Sequence, residues 1–543
     1  MRSERKDEKV VIQWLLGIKL KVLITDSLSK DGTELLKKEA DVDVATDLSE
    51  KELVMRIKDY DALIVRSGTQ VTRDVINAGR RLKVIGRAGV GVDNIDVGAA
   101  TERGIIVLNA PEGNTVSAAE HAIAMMMSLS KNIPPADESV KRGEWTRSKF
   151  VGVEVRNKVL GIIGLGRVGA EVAKIAHGLG MHILAYDPFI SVERAEELGV
   201  RLAKIDDVVS KADFITIHAP LTKESHHSIG KKEFERMKGG VRIINCARGG
   251  IIDEKALYGA IKSGKVAGAA LDVFEQEPPV DSPLLELDSV IMTPHLGAST
   301  REAQINVAVS VAEGVIDALK EKPVRNAVNM PAIKPDVLAL IKPYLTLAEK
   351  LGRLSVQLID GRINTVEAMY SGEVAERDTG PLTTTILKGI LDPILSEPVN
   401  FVNAPVIAKN RGIKVIERKV GASEDFTGLI TVVVRTADDE KGVAGTLFGK
   451  NDARIVRIDN YHIDALPSGY MLISKHIDKP GIIGHVGMIL GKNNINIAGM
   501  QVGRESIGGE AVMVLNIDGP VSDGILKQIE AVDGIQNIKL VVL

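Results

Sequence analysis

Residues 158–188 read KVLGIIGLGRVGAEVAKIAHGLGMHILAYDP, and this stretch decides the fold. An apolar run, Val159 to Ile163, enters Gly164-Leu165-Gly166-Arg167-Val168-Gly169. A segment of helical period follows, with Val172, Ala173, Ala176 and Leu179 on one face. A second apolar run, Ile183 to Tyr186, ends on Asp187. Strand, glycine turn, helix, strand and acid in this order make a dinucleotide fingerprint in its structural setting. Gly164 permits the turn, Gly166 lets a pyrophosphate approach the backbone, and Gly169 lets the helix pack on the strand. The helix start offers free N–H groups and a positive dipole end to phosphates. Asp187 lies where a carboxylate accepts hydrogen bonds from the adenosine ribose and repels a 2′-phosphate, which favours NAD over NADP. The motif names a cofactor and leaves the reaction open.

Upstream, from Lys21, short apolar runs alternate with helical segments. The runs are Val22-Leu23-Ile24, Val42-Asp43-Val44, Ala62 to Val65, Val84-Ile85 and Ile105 to Val107. Such alternation predicts a parallel sheet covered on both faces, so an α/β unit precedes the dinucleotide unit. A long apolar helix is expected over residues 117–129; its Met125-Met126-Met127 reads as core filler. Downstream, strands are expected at Phe214–His218, Val241–Asn245, Gly268–Asp272 and Val290–Thr293, then a helix over residues 300–320. After Pro331 the glycine turns disappear. Helical segments (337–359, 382–395) alternate there with strand-like ones (365–371, 429–435, 455–459). Residues 470–543 read strand, helix, strand, strand, helix, strand, the ferredoxin-like split βαβ order.

Bulk properties set limits. At 543 residues the chain exceeds one core, so three or four domains are expected. Its 45% apolar and 26% charged residues are those of an ordinary globular protein. A net charge of -3 argues against nucleic acid as partner, and an anionic substrate must be caught by a few placed arginines. The single cysteine, Cys246, excludes an internal disulfide framework and suits a reducing cytoplasm. No run has the length of a membrane span. Residues 1–18 lack the pattern of a signal peptide and are set apart as a disordered extension with no assigned function. No metal site is assigned.

Three stretches carry chemistry-bearing side chains directly after apolar runs: Asn245 to Gly250 (NCARGG), Asp272 to Pro278 (DVFEQEP) and Thr293 to Ala298 (TPHLGA). In an open parallel sheet, ligands sit outside the carboxyl ends of the strands, so these stretches are placed to converge on one crevice. Hydride transfer from a hydroxy acid needs a base for the hydroxyl proton, a carboxylate to orient that base, and a cation for the substrate carboxylate. His295, Glu277 and Arg248 supply the three types. An imidazole suits the base because its ordinary pKa lies near neutrality. A guanidinium suits the anchor because its planar fork grips a carboxylate in two places. One histidine after a proline is more often a satisfied loop residue; three matched types at three strand ends are not readily explained that way.

The motifs GRAGVGVDNID, GLGRVG, NCARGG, LDVFEQEPP and TPHLGAST together resemble the D-2-hydroxy-acid dehydrogenase family, in its long form with a C-terminal extension. The resemblance covers roughly residues 19–543. It implies two Rossmann-like doubly wound lobes, then an α+β intervening domain and a ferredoxin-like ACT domain. The implied boundaries are 19–116 with 297–330 for a discontinuous substrate lobe, 117–296 for the NAD lobe, 331–468 and 469–543. It places Arg248, Glu277 and His295 at the catalytic positions. The Gly89-Val90-Gly91 turn becomes the receiver of the substrate carboxylate, with Arg66, Arg87 and Asn114 binding substrate. Arg167, Val168, Cys246, Ala247 and Asp272 line the cofactor, Asp272 near the nicotinamide amide, with Arg248, His295, Gly297 and Ala298 beside them. In the last domain (HIDKPGIIGHVG, NNINIAGM), His476, Asp478 and Asn496 fall where relatives bind L-serine at a paired interface. The implied reaction is NAD-dependent oxidation of 3-phospho-D-glycerate by a homodimer or homotetramer. The alternatives are a glyoxylate or hydroxypyruvate reductase on the same scaffold, and a non-catalytic NAD-sensing binding protein.

Overall fold

Two parallel sheets carry the first three-fifths of the chain, in a computed structural model describing residues 20–331, 335–396, 398–421 and 425–543. The expected extension 1–18 lies outside the described residues. The first sheet holds β1 (Lys21–Ile24), β2 (Asp41–Val44), β3 (Ala62–Val65), β4 (Val84–Arg87) and β5 (Ile106–Leu108), in the order β2-β1-β3-β4-β5. All its pairs are parallel, and β3, ALIV, is buried throughout, as a strand covered on both faces must be. The order reverses between β1 and β3, which opens a crevice at their carboxyl ends.

The second sheet comprises β6 (Val159–Ile163), β7 (His182–Tyr186), β8 (Arg201–Leu202), β9 (Phe214–Ile217), β10 (Val241–Asn245), β11 (Val266–Leu271) and β12 (Val290–Met292). Its order, β12-β11-β10-β9-β6-β7-β8, is doubly wound with the reversal between β6 and β9. The fingerprint helix, Arg167–Gly178, buries Val172, Ala173 and Ala176 against it. Met125 and Met126 are buried in the same core, with Met127 packed against it. Two long helices flank the crossings between the sheets. Thr115–Ser130 packs on the second sheet and the fingerprint helix, and Arg301–Leu319 returns to the first, burying Val307, Val311 and Val315 among its strands. The segments between them, residues 109–114 and 293–300, therefore join two lobes that face each other across the strand ends.

The third sheet is mainly antiparallel: β13 (Thr365–Gly372), β14 (Lys414–Val420), β15 (Gly428–Arg435), β16 (Glu440–Phe448), β17 (Asp452–Ile458) and β18 (Tyr461–Ala465). Its order is β14-β13-β15-β16-β17-β18, with helix Pro335–Leu358 packed along β15 to β17. The fourth sheet, β19 (Tyr470–Ile477), β20 (Ile497–Arg504), β21 (Glu510–Ile517) and β22 (Ile535–Val542), has the ferredoxin-like order β20-β21-β19-β22. Met471, Ile473, Val512, Val514 and Val541 join the apolar core of the third sheet, so the two C-terminal units share one core. Strand β20 is an edge of its sheet.

Candidate active site

The glycine turn has the geometry that its three roles demand. Gly164 has φ +92°, and a Cβ there would lie 2.7 Å from the His218 carbonyl oxygen. A Cβ on Gly169 would fall 2.1 Å from the Gly164 carbonyl oxygen, so only glycine lets the helix come this close. At Gly166 a Cβ would meet nothing within 4 Å, and no side chain caps the helix that begins at Arg167. An open backbone cradle at an uncapped helix start is what a pyrophosphate requires, so these residues fit a dinucleotide. Asp187 stands beside the turn: its Oδ2 accepts from the Leu165 N–H and its Oδ1 from the Phe189 N–H, each at 2.8 Å. Arg167 reaches Glu112 across the crevice at 3.3 Å, while Val168, Cys246 and Ala247 are half-buried. Burial and the neighbouring Asp272 carboxylate push the Cys246 thiol far up, so it is no nucleophile. At the end of β9, burial pushes His218 down to about 4, which keeps it neutral in the physiological range.

The three strand-end stretches meet, the first two through backbone contact and the last two through side-chain hydrogen bonds. After β10, Asn245 shapes the loop, donating to the Arg248 carbonyl at 2.9 Å and accepting from the Ala247 N–H at 3.1 Å. A Cβ on Gly249 would lie 1.8 Å from the Phe274 carbonyl oxygen, so the loops after β10 and β11 touch. The Phe274 N–H donates to Glu277 Oε1 at 3.2 Å, and Glu277 Oε2 lies 2.9 Å from His295 Nδ1. The proton on Nδ1 directed at this carboxylate leaves Nε2 as the ring's free acceptor. His295 has φ +55°, a left-handed conformation that a histidine adopts only where its surroundings impose it. What imposes it is Asp272. Its Oδ1 accepts from the Thr293 hydroxyl at 2.6 Å and the Leu296 N–H at 2.7 Å, and its Oδ2 from the Gly297 N–H at 2.8 Å. His121 adds a contact at 3.2 Å, and the Ser117 hydroxyl donates to the Gly297 carbonyl at 2.9 Å. Ala298, half-buried, follows on this pinned segment.

Asp272, expected near the nicotinamide amide, turns to the segment that carries His295. It is 0% exposed, and both its oxygens are taken up by the segment that carries His295. Those hydrogen bonds outweigh the desolvation of the charge and hold its pKa below the usual carboxylate range. An acid at a strand end has two directions open to it, and this one turns inward.

On the opposite lobe the arginines gather. Arg66 follows β3, Arg87 ends β4, and Arg248 reaches over from the cofactor lobe. A Cβ on Gly91 would lie 2.2 Å from Arg248 Nη2, and one on Gly89 would lie 1.9 Å from Arg87 Nη1. The Gly89-Val90-Gly91 turn is therefore bare because guanidinium groups lie against it. Burial lowers the pKa of Arg87, and the charges of Arg248 and Arg66 lower it further, against a partial offset from Asp93 and Asp26. Arg248 pairs with Asp93 at 3.4 Å, and its Nη1 donates to the Ala247 carbonyl at 2.7 Å. Asn114 sits at the start of helix Thr115–Ser130 without capping it.

Several residues of this site escaped the sequence reading. Asn94 accepts from Arg87 Nε at 3.4 Å and donates to the carbonyls of Arg66 and Thr69, at 2.7 and 2.6 Å. It ties two arginine-bearing strand ends together. Asp26 accepts from the Arg66 N–H at 2.6 Å, and Asn109 donates to the Val90 carbonyl at 2.5 Å. Asn94 and Asp93 lay inside a quoted motif, and Asp26 is an acid at a strand end like those that were read. His121 gave no signal, since its partner Thr293 is 172 residues away.

In the last domain, His476 is buried on β19 with Nδ1 unpartnered among the described residues, and burial lowers its pKa. Asp478 accepts from Arg504 Nη1 at 2.7 Å, which holds its carboxyl below the usual range. Asn496 donates to Asp518 at 2.8 Å, beyond the far end of β20. The eight residues of β21 separate the two ends, about 26 Å at ~3.3 Å per residue. One chain alone does not bring Asp478 and Asn496 together.

Comparison with known proteins agrees with this geometry. Residues 123–297 match the NAD-binding domain of the D-isomer-specific 2-hydroxyacid dehydrogenases, residues 340–459 the D-3-phosphoglycerate dehydrogenase intervening domain, and residues 470–534 the ACT domain. The D-lactate dehydrogenase of Aquifex aeolicus, solved with NAD and lactic acid, superposes with a TM-score of 0.52 at 30% identity, over 57% of this chain and 100% of that one. The fold and its NAD-binding domain are thus those of a D-2-hydroxyacid dehydrogenase. The D-3-phosphoglycerate dehydrogenase of Archaeoglobus fulgidus is 50% identical over 95% of this chain and 98% of its own length; that of Synechocystis is 50% identical over 95% and 94%. The chain belongs to the D-3-phosphoglycerate dehydrogenase family.

Proposed function

We propose that the chain oxidises 3-phospho-D-glycerate to 3-phosphohydroxypyruvate with NAD. The observation that carries this reading is the gathering of Arg87 with Arg248 and Arg66: burial first, then the charges of its two neighbours, lower its pKa, and such a cluster calls for an anion. A substrate with both a carboxylate and a phosphate supplies it. The turn at residues 89–91 and Arg248 receive the carboxylate, while Arg66 and Arg87 take the phosphate through charge-assisted bonds. His295 Nε2 accepts the proton of the C2 hydroxyl, and Glu277 stabilises the imidazolium that forms. Bound NAD supplies the acceptor for the C2 hydride. Asp272 keeps the histidine segment in place, and Asn94 keeps the arginine-bearing strand ends together.

A substrate panel tests the reading. Two charge-assisted bonds at about 1.5–3 kcal/mol each predict kcat/KM at least ~10²-fold higher for 3-phosphoglycerate than for D-glycerate. Equal efficiency for D-glycerate, or faster reduction of glyoxylate or hydroxypyruvate, moves the assignment to the reductases. No NADH in a single turnover with any of them leaves a binding protein.

The same reading extends to regulation. Antiparallel pairing of edge strand β20 with its copy in a second subunit sets Asp478 of one chain beside Asn496 of the partner subunit, an acid and an amide suited to an amino acid's ammonium and hydroxyl. Exposed Trp145, Ile133, Val140 and Val151 on the arm beyond helix Thr115–Ser130 offer a second apolar surface for a homo-oligomer. No helix among the described residues is long and apolar enough to cross a membrane, and one inert thiol suits the cytoplasm. The expected result is that millimolar L-serine slows turnover and raises Tm, and that Asp478→Ala removes both effects. If serine changes neither rate nor Tm in the wild type, this part fails.

A further inference from the structure

The third domain holds a cavity of about 580 Å³ that the reaction does not use. Helix Gly380–Leu391, helix Ala404–Asn410 and edge strand β14 line it, and it opens to solvent. Leu387, Pro405, Ile413 and Val415 form the apolar part of its wall, and two charged side chains complete it, Lys409 and Glu417; Lys414, one place before Val415, alternates to the other face of β14. Glu417 is aimed by hydroxyl donors. Thr379 Oγ1 donates to its Oε1 and Thr383 Oγ1 to its Oε2, both at 2.5 Å, and Thr383 in turn meets the buried Tyr370 hydroxyl at 2.7 Å. These bonds fix the carboxylate and leave each oxygen a further lone pair. Among the described residues, the Lys409 side chain has no hydrogen-bond or ion-pair partner, although the carboxylate shares its cavity. Lysine stems are long and flexible enough to close on an acid within reach. One ammonium group without a partner and one carboxylate without a counter-charge around an apolar wall therefore outline a ligand that carries both charges.

We propose that this cavity binds a free α-amino acid with an apolar side chain. Its ammonium meets Glu417, its carboxylate meets Lys409, and its side chain lies against Leu387, Ile413 and Val415. The volume falls within the roughly 300–1,000 Å³ of small-molecule sites. A fatty acid would leave Glu417 unmatched, an amine would leave Lys409 unmatched, and serine would leave the apolar wall without a partner. The site also touches the rest of the molecule. Just before helix Ala404–Asn410, Asn400 Nδ2 donates to the Gly104 carbonyl of the substrate lobe at 2.8 Å. A ligand against Pro405 and Lys409 thus rests on the element that contacts that lobe.

Equilibrium dialysis of the full chain against radiolabelled L-leucine, L-valine and L-methionine tests the proposal, with L-serine, 4-methylpentanoate and 3-methylbutylamine as competitors. The expected result is saturable binding of one apolar amino acid per chain, resistant to serine, with the acid and the amine competing at least tenfold more weakly. Glu417→Gln, and separately Lys409→Met, weaken binding at least tenfold while circular dichroism and turnover match the wild type. No saturable binding up to about 10 mM, two decades weaker than a 0.1 mM site, overturns the proposal. So does binding that survives both charge variants or is displaced by serine at equal concentration.

Discussion

Replacing His295 by alanine lowers kcat by roughly 10²–10⁴-fold, the usual contribution of a positioned general acid or base, and leaves KM for the hydroxy acid within a few-fold. The reason lies in where the side chain sits. His295 and Glu277 are 48% and 40% exposed, so neither holds up the core, and the imidazole is joined to the protein through a single ring nitrogen. Removing it takes away the proton acceptor without disturbing the arginines that hold the substrate. Glu277→Gln keeps a hydrogen-bond acceptor but loses the charge that stabilises the imidazolium, so it falls between wild type and His295→Ala. Steady-state kinetics with NADH detection reads both variants. Near-wild-type turnover in His295→Ala would remove the residue from the mechanism.

The second large effect is at Arg87. Arg87→Gln raises KM for 3-phosphoglycerate by about 10²-fold, as the loss of a charge-assisted pair to a phosphate requires. It also leaves the Tm of the substrate-free protein unchanged or higher. The sign follows from the lowered pKa: in the folded protein the charged guanidinium is disfavoured by burial and by Arg248 and Arg66, so neutralising it relieves a cost. A site that trades stability for affinity in this way shows opposite movements of Tm and substrate binding on one substitution. Parallel losses in both would mean that Arg87 is a structural residue, and the phosphate assignment would then lose its main support.

How much of this was legible before the coordinates depends on how local each signal is. The glycine turn, its helix and Asp187 depend on φ values, close approach and strand order within thirty-one residues, and the pattern contains all of them. The strand-end positions of Arg248, Glu277 and His295 follow from apolar runs that stop where the polar residues begin. The direction of a side chain beyond a strand end does not follow. Asp272 turned inward to pin Leu296 and Gly297, and only the fold brings His121 to it. In the third domain, β14 (KVIERKV) is an exposed edge strand with no apolar face to read, and β16 (EKGVAGTLF) is interrupted by glycines. Both went unread because pairing with neighbours, not apolar patterning, makes them strands.

The central claim is that side chains from the ends of two separate sheets act on one substrate in one crevice. A crystal structure of the complex with NAD and 3-phosphoglycerate tests it most directly. The predicted result is His295 Nε2 within about 2.6–3.2 Å of the C2 oxygen, the carboxylate on the Gly89-Val90-Gly91 turn and Arg248, and the phosphate on Arg66 and Arg87. A closed complex in which the phosphate lies away from these arginines, or in which the imidazole does not reach that oxygen, would contradict the account.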